Sequence, residues 1–385
     1  MSGLSGADLA NLVRSVFPGF PEDRSLAVLV DVPRDAAGDN AAWRARRAMA
    51  EDWVALLKAN APAVPLDEVR LIAYPDVGSN NADLPAEASI VEAGLPSDAS
   101  GLRRRGTPRP FEAIFREVPL FLAPTEYSTT APLKNAAARH CFRAATMPGF
   151  SESMIPALRV DYGEVGRRVA AIKIRLDQAE EAEVEFIKDG LETHRMRFDL
   201  RHRTGHESSG RFPAKGTAGN LPSGEAYIVP YEGEQGPASR TRGELPVELS
   251  GEVLVFAVEA NRAVAVRPSA TLGPAWKDEA DRLRREPAYG NMAELGFGVL
   301  ADFGIGPVGE GLLDEKLGFH VAFGRSDHFG GRTGPSAFSR PEEVVHIDRI
   351  YIPTTQPRVA VYSVVFRYPD GSEETIMLEG RYRIF

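Results

Sequence analysis

Residues 26–32 read LAVLVDV and residues 69–74 read VRLIAY. Each is a short, nearly continuous apolar run, the pattern of a strand buried on both faces of a parallel sheet. Between them Trp43, Met49, Ala50, Trp53, Leu56 and Leu57 recur at helical spacing as far as about Lys58. Strand, helix, strand is a βαβ unit. Segments 112–117 and 118–123 continue the alternation, so an open α/β domain is predicted over residues 1–130. Its start, from about Ala7 to Phe17, reads as a helix.

Beyond that domain the pattern changes. Residues 132–146 carry Leu133, Ala136, Ala137, Cys141 and Phe142, and residues 161–178 carry Val165, Val169, Ile172 and Leu176, both at helical intervals. A helical connection is therefore expected over 131–180. From about 182 short strand-like segments take over: AEVEFI, HRMRFDLR, EAYIVP, EVLVFAVE, HVAF, VVHIDRI, RVAVYSVVF and ETIMLEGRY. Turn signals separate them, including Lys188-Asp189-Gly190, Pro230–Gly233 and Pro369-Asp370-Gly371. One helix, at about 275–286, interrupts the series. The fold class predicted is α/β plus α+β, with a strand-rich domain over 181–385.

Composition narrows the function. The chain has 385 residues, 43% hydrophobic and 26% charged, which suits a soluble folded protein of more than one domain. It carries 54 acidic residues against 45 lysines and arginines, a net charge of −9, which argues against a general nucleic-acid binder. One cysteine, Cys141, excludes an internal disulfide, a cysteine-based zinc site and an iron–sulfur cluster. No apolar run is long enough to span a membrane, and the start lacks the basic-then-apolar order of a signal peptide. A cytoplasmic location is expected. GIGPVG at Gly304, Gly306 and Gly309 matches a dinucleotide fingerprint by letters only, because no acid stands at the strand end that would follow. Arg103-Arg104-Arg105 reads as a solvated loop.

The histidines say more. Of seven, His140 sits in a helical segment, and His194, His202 and His206 lie in a charged stretch read as exposed strand and loop. His346 and Asp348 stand two apart in VVHIDRIYIP, so a strand sends both to one face. Imidazole and carboxylate converging there form a ligand pair for zinc, cobalt, manganese or iron. His320 lies in GFHVAFG with Glu315 five residues earlier, Glu294 lies in NMAELGFG, and Glu225 opens EAYIVP after a turn. Carboxylates set into apolar strands are costly unless paired or metal-bound. Together the three glutamates, two histidines and one aspartate are enough for a two-metal site with a bridging water.

These segments resemble the thermophilic metallo-aminopeptidases, the family of aminopeptidase T and aminopeptidase S. The likeness rests on Asn220-Leu221-Pro222-Ser223-Gly224-Glu225, Glu294-Leu295-Gly296, Asp314-Glu315-Lys316 with His320-Val321-Ala322-Phe323-Gly324, and His346-Ile347-Asp348, in that order, and covers about 185–366. The resemblance implies a homodimeric hydrolase that removes N-terminal residues from peptides with two divalent ions (zinc, cobalt or manganese). It implies Glu225, Glu294, Glu315, His320, His346 and Asp348 as metal ligands, with Glu294 or Glu315 also moving the proton from water to the leaving amine. Two close ions sharing a water lower its pKa and polarise the scissile carbonyl. The family has a tyrosine beyond its H-x-A-x-G segment, where this chain reads Arg325-Ser326-Asp327-His328-Phe329. Arg325, His328 and Tyr351 are therefore the expected substrate-binding residues. More loosely, the chain is similar to 2,5-dihydroxypyridine 5,6-dioxygenase, a ring-cleaving enzyme on the same scaffold. That resemblance implies the alternative: one Fe(II) held by His320, His346 and Asp348. A non-catalytic, repurposed scaffold is the third reading. The expected partner is a peptide or a small-molecule substrate, with neither nucleic acid nor membrane.

Overall fold

A computed structural model describes residues 3–60, 63–92, 94–267 and 273–385. The chain forms two compact units. One runs to Gly166 and takes up Gly210–Ser223; the other comprises Arg167–Ser209 and Gly224–Phe385.

The first unit is built on a seven-stranded sheet. In spatial order its strands are Thr217–Asn220, Arg143–Thr146, Leu120–Ala123, Ser25–Val32, Glu68–Pro75, Glu87–Val91 and Gly106–Pro110. The first five run parallel, and the last two add antiparallel at one edge. The opening run LAVLVDV is fully buried, as its composition requires. Helix Ala41–Ala59 follows it, capped by the Asn40 side chain accepting from Trp43 N, and buries Trp43, Met49, Ala50, Trp53, Val54 and Leu57. The predicted α/β character over 1–130 is present.

The predicted boundary at 130 and the helical connection over 131–180 need correction. Helix Thr130–His140 ends at Cys141, whose φ is +62°, and strand Arg143–Thr146 follows within the first sheet's parallel part, second from its edge. Arg-Ala-Ala-Thr is a helix-friendly string, and sheet pairing overrides that preference. The first unit also takes in Thr217–Asn220, which pairs parallel with 143–146. Arg103, Arg104 and Arg105 close the short helix Ala99–Arg105 instead of lying in a loop. Gly304 ends a single turn, Leu300–Phe303, that separates it from strand Met292–Gly298, and only the one-turn helix Gly311–Asp314 follows, so GIGPVG is a surface loop and not a cofactor cradle.

The second unit stacks a five-stranded sheet on an eight-stranded one. The smaller sheet has the order His346–Ile350, Phe319–Gly324, Met292–Gly298, Glu225–Ile228 and His206–Ser208, all antiparallel. One face carries Leu295, Phe297, Phe319, Val321 and Phe323. It packs on the larger sheet through Phe186–Phe319, Phe297–Phe366 and Phe256–Phe323, with ring centroids 6.0, 5.6 and 5.2 Å apart. Such pairs contribute about 0.5–1.5 kcal/mol each beyond their buried area. The other face carries the polar residues of the site. Among the described residues no helix is long and apolar enough to cross a membrane.

Candidate metal centre

Cross-strand register assembles the site. Glu225 pairs with Gly298, Tyr227 with Gly296, Gly296 with His320, Glu294 with Ala322, Ala322 with Asp348, and Gly324 with His346. Directly opposed residues share a face, and the period of two extends that face along each strand. Glu225, Tyr227, Glu294, His320, His346 and Asp348 therefore all project from one side. Glycine or alanine at 296, 298, 322 and 324 leaves that side open between them. The close approach at Gly296 is specific, because a Cβ built there would collide with the His320 ring.

Glu294 is the hub. Its Oε1 lies 3.3 Å from His320 Nε2 and its Oε2 lies 3.4 Å from His346 Nε2. Asp348 Oδ1 lies 3.6 Å from the same His346 nitrogen, and Glu225 Oε2 lies 3.7 Å from His320 Nε2. Two donor groups with metal-ligand spacing overlap at this residue: Glu225, Glu294 and His320, all buried, and Glu294, His346 and Asp348, of which the two on strand His346–Ile350 are half-buried. Both imidazoles are oriented from behind. His320 Nδ1 faces Gly318 O at 3.2 Å, and His346 Nδ1 faces Arg325 O at 2.7 Å. A carbonyl can only accept, so each Nδ1 donates when neutral and each Nε2 turns its lone pair into the site.

The electrostatics fit a cation. Burial alone pushes the Glu294 carboxyl up, but hydrogen bonds from His320 and His346 overcome this and bring it to about 2. Burial pulls His346 down, while Asp348 and Glu294 raise it to about 11. His320 is raised to about 9 against its burial, chiefly by Glu294 and then by Glu225 and Asp348. In the absence of an ion, protons on the imidazoles neutralise the carboxylates. Glu225 Oε2 is buried with no hydrogen-bond partner, the kind of orphaned acceptor that a bound cation satisfies. The residues present therefore fit a metal ion.

Lys316 changes the count expected from sequence. Its ammonium, 3% exposed, donates to Glu225 Oε1 at 2.5 Å and to Glu315 Oε1. Glu315, expected to be a metal ligand and proton carrier, is thus paired with Lys316 and falls outside both donor groups. Burial pushes its carboxyl up, to about 8, against the pull of the lysine. A fixed positive charge therefore sits between the carboxylates of Glu225 and Glu315.

The expected substrate-binding residues separate. His328 lies beside His346, with ring centroids 5.1 Å apart, and burial and that neighbour lower it to about 4. Arg325 contributes its carbonyl to His346, while its guanidinium engages Asp327. Tyr351 is on the opposite face, as period two from Asp348 requires. It packs on Phe186 and Phe319, and its hydroxyl donates to Pro246 O at 2.9 Å.

The sequence reading missed three contributors. Tyr227 shares a strand face with Glu225, a period-two signal that was there to be read. His206, taken as exposed, stacks on Tyr227 at 5.1 Å and 21°, and its Nε2 lies 2.9 Å from Phe329 O. Glu232 holds the loop that carries His328 and Phe329. It accepts from Ser326 Oγ at 2.5 Å, Arg332 N at 2.5 Å, Thr333 N at 3.1 Å and Asn291 Nδ2 at 2.8 Å. Hydrogen bonds to a charged group contribute about 1.5–3 kcal/mol each, less where solvent competes. Glu232→Ala is expected to destabilise the protein by about 2–3 kcal/mol. Hydrogen-exchange mass spectrometry should show loss of protection over 326–333, and unchanged exchange there would contradict the role.

No protein-family model matches the chain, and no curated protein matches it. Among solved structures, the fold matches 2,5-dihydroxypyridine dioxygenase from Pseudomonas putida KT2440 at 13% identity, over 98% of each chain, with a TM-score of 0.55. The fold of the whole chain is thus that of a known enzyme scaffold. That protein is a dioxygenase and not a hydrolase, which overturns the expectation of a metallo-aminopeptidase.

Proposed function

We propose that this chain is a mononuclear non-haem iron oxygenase acting on a small electron-rich aromatic compound. The observation that carries the reading is Lys316. Its buried ammonium engages Glu225 Oε1 and Glu315 Oε1, and the two donor groups that remain share Glu294, so that they can close on one ion. Two imidazoles and carboxylates at one ion is the general recipe for Fe(II) and oxygen. The name of the structural neighbour supports the same chemistry, as fold-level analogy.

His320, His346, Glu294 and Asp348 would hold the ion, with Glu225 Oε2 at its buried side. Bound Fe(II) supplies the electron transfer that lets oxygen react with an electron-rich ring. The protein's part is placement and charge. The carbonyls of Gly318 and Arg325 fix the imidazoles. Lys316 offsets Glu225, which lowers the surplus negative charge at the ion. Tyr227, Phe329 and His328 form an aromatic wall next to His346, with Tyr227–Phe329 at 4.9 Å and Phe329–His346 at 5.6 Å. A planar substrate stacks on such a wall.

The test is anaerobic loading with one equivalent of Fe(II), followed by oxygen uptake on a panel of hydroxylated benzenes and pyridines. Uptake coupled to loss of ring absorbance, abolished by a chelator, is the expected result. A chain that holds iron and consumes no oxygen with any of them is a binding protein instead.

A further inference from the structure

We propose that Tyr227 is the substrate-facing hydrogen-bond donor of the metal centre, a neutral phenol that binds an oxygen atom of the molecule seated at the ion. This rests on the metal-centre reading above and adds a residue to it.

The first observation is placement. Tyr227 stands opposite Gly296, which stands opposite His320, in one cross-strand row on the site face. The missing side chain at Gly296 leaves the phenol and the imidazole facing one space. The second observation is an unused hydroxyl. In this unit Tyr289 donates to Glu279 at 2.6 Å, Tyr351 to Pro246 O at 2.9 Å, Tyr368 to Glu374 at 2.7 Å and Tyr382 to Gly298 O at 2.8 Å. Tyr231 accepts from Gln235 N at 2.9 Å. Tyr227 is half-buried, and among the described residues its hydroxyl has no hydrogen-bond partner. That hydroxyl is open to water or to a bound molecule.

The third observation is rigidity. The ring lies between His206, stacked at 5.1 Å, and the edge of Phe329 at 4.9 Å. The His206–Phe329 O hydrogen bond ties those two flanks together. The hydroxyl is therefore held in position without being engaged, the arrangement of a preorganised donor. An ordinary phenol keeps its proton at neutral pH. The ligand it suits carries an oxyanion or carbonyl oxygen close to the ion.

The experiment uses zinc-loaded full-length protein, in which no turnover occurs, and 4-nitrocatechol as the probe. Wild type and Tyr227→Phe are compared by visible titration, with metal content and thermal midpoint measured on the same samples. The expected result is equal metal content, a near-equal midpoint and binding of the probe 10- to 100-fold weaker in the variant, with a shifted band for the residual complex. Equal affinity and an unshifted band in the variant overturn the role of Tyr227 alone. A wild-type protein that retains no zinc overturns the metal centre and this inference with it. If the Tyr227→Phe substitution disturbs folding, Phe329→Leu serves as a second comparison: it removes wall area but no donor, so it should weaken binding without shifting the band.

Discussion

Gly296→Ala is expected to remove the metal from the protein and to destabilise it by about 3 kcal/mol or more, at the upper end of overpacking in a filled core. A Cβ at this position enters the volume of the His320 imidazole. The ring cannot turn aside freely, since its Nδ1 faces Gly318 O and its Nε2 faces Glu294. Both strands that meet there are fully buried, so backbone movement spreads into the aromatic core beneath. The control is Gly306→Ala, which adds its methyl group to open space in the loop that resembled a cofactor fingerprint. It should change stability by less than about 0.5 kcal/mol. Denaturant unfolding and elemental analysis on the two variants check both halves. A Gly296→Ala protein of normal stability and metal content would show that His320 is not held where the structure places it.

Glu294→Gln is expected to weaken metal binding by more than the 10- to 100-fold that loss of a supporting partner typically causes. The amide has nearly the shape of the carboxylate but no charge. It also presents an NH₂ donor to one of two imidazole nitrogens that lie 3.3 and 3.4 Å from the native oxygens. Glu294 is the member common to both donor groups, so the substitution harms each of them. Glu315→Gln is the informative contrast. If Glu315 serves Lys316 and not the ion, that variant should retain its metal at near wild-type affinity. Competition against a chromogenic chelator measures both. Equal losses in the two variants would return Glu315 to the ligand set.

Much of this site was legible in sequence because strands have an exact side-chain period. His346 and Asp348 share a face for that reason, and Tyr351 faces away for the same reason. Glu225, Glu294 and His320 stood out as polar residues inside apolar strands. Two things were not legible. Partnership across strands depends on register, so nothing local tied His206 to Tyr227, or Glu232 to a loop a hundred residues further on. Charge compensation was also hidden: Lys316 reads as one letter of a short motif, and only its burial shows that it pairs with both Glu225 and Glu315. Without that pairing in view, the number of acids argued for two metals. The first unit shows the matching limit for the fold. Its strands at 26–32 and 69–74 announce themselves, whereas Arg143–Thr146 and Thr217–Asn220 are strands only through their pairing.

The central claim is a one-metal centre completed by a built-in ammonium group. Elemental analysis of protein purified without chelators and then equilibrated with excess Fe(II) or zinc, expressed per chain, tests it most directly. One equivalent of tightly held ion is expected, lost in Glu294→Gln. Two equivalents per chain in the wild type would contradict it, because a second ion and the buried Lys316 compete for Glu225.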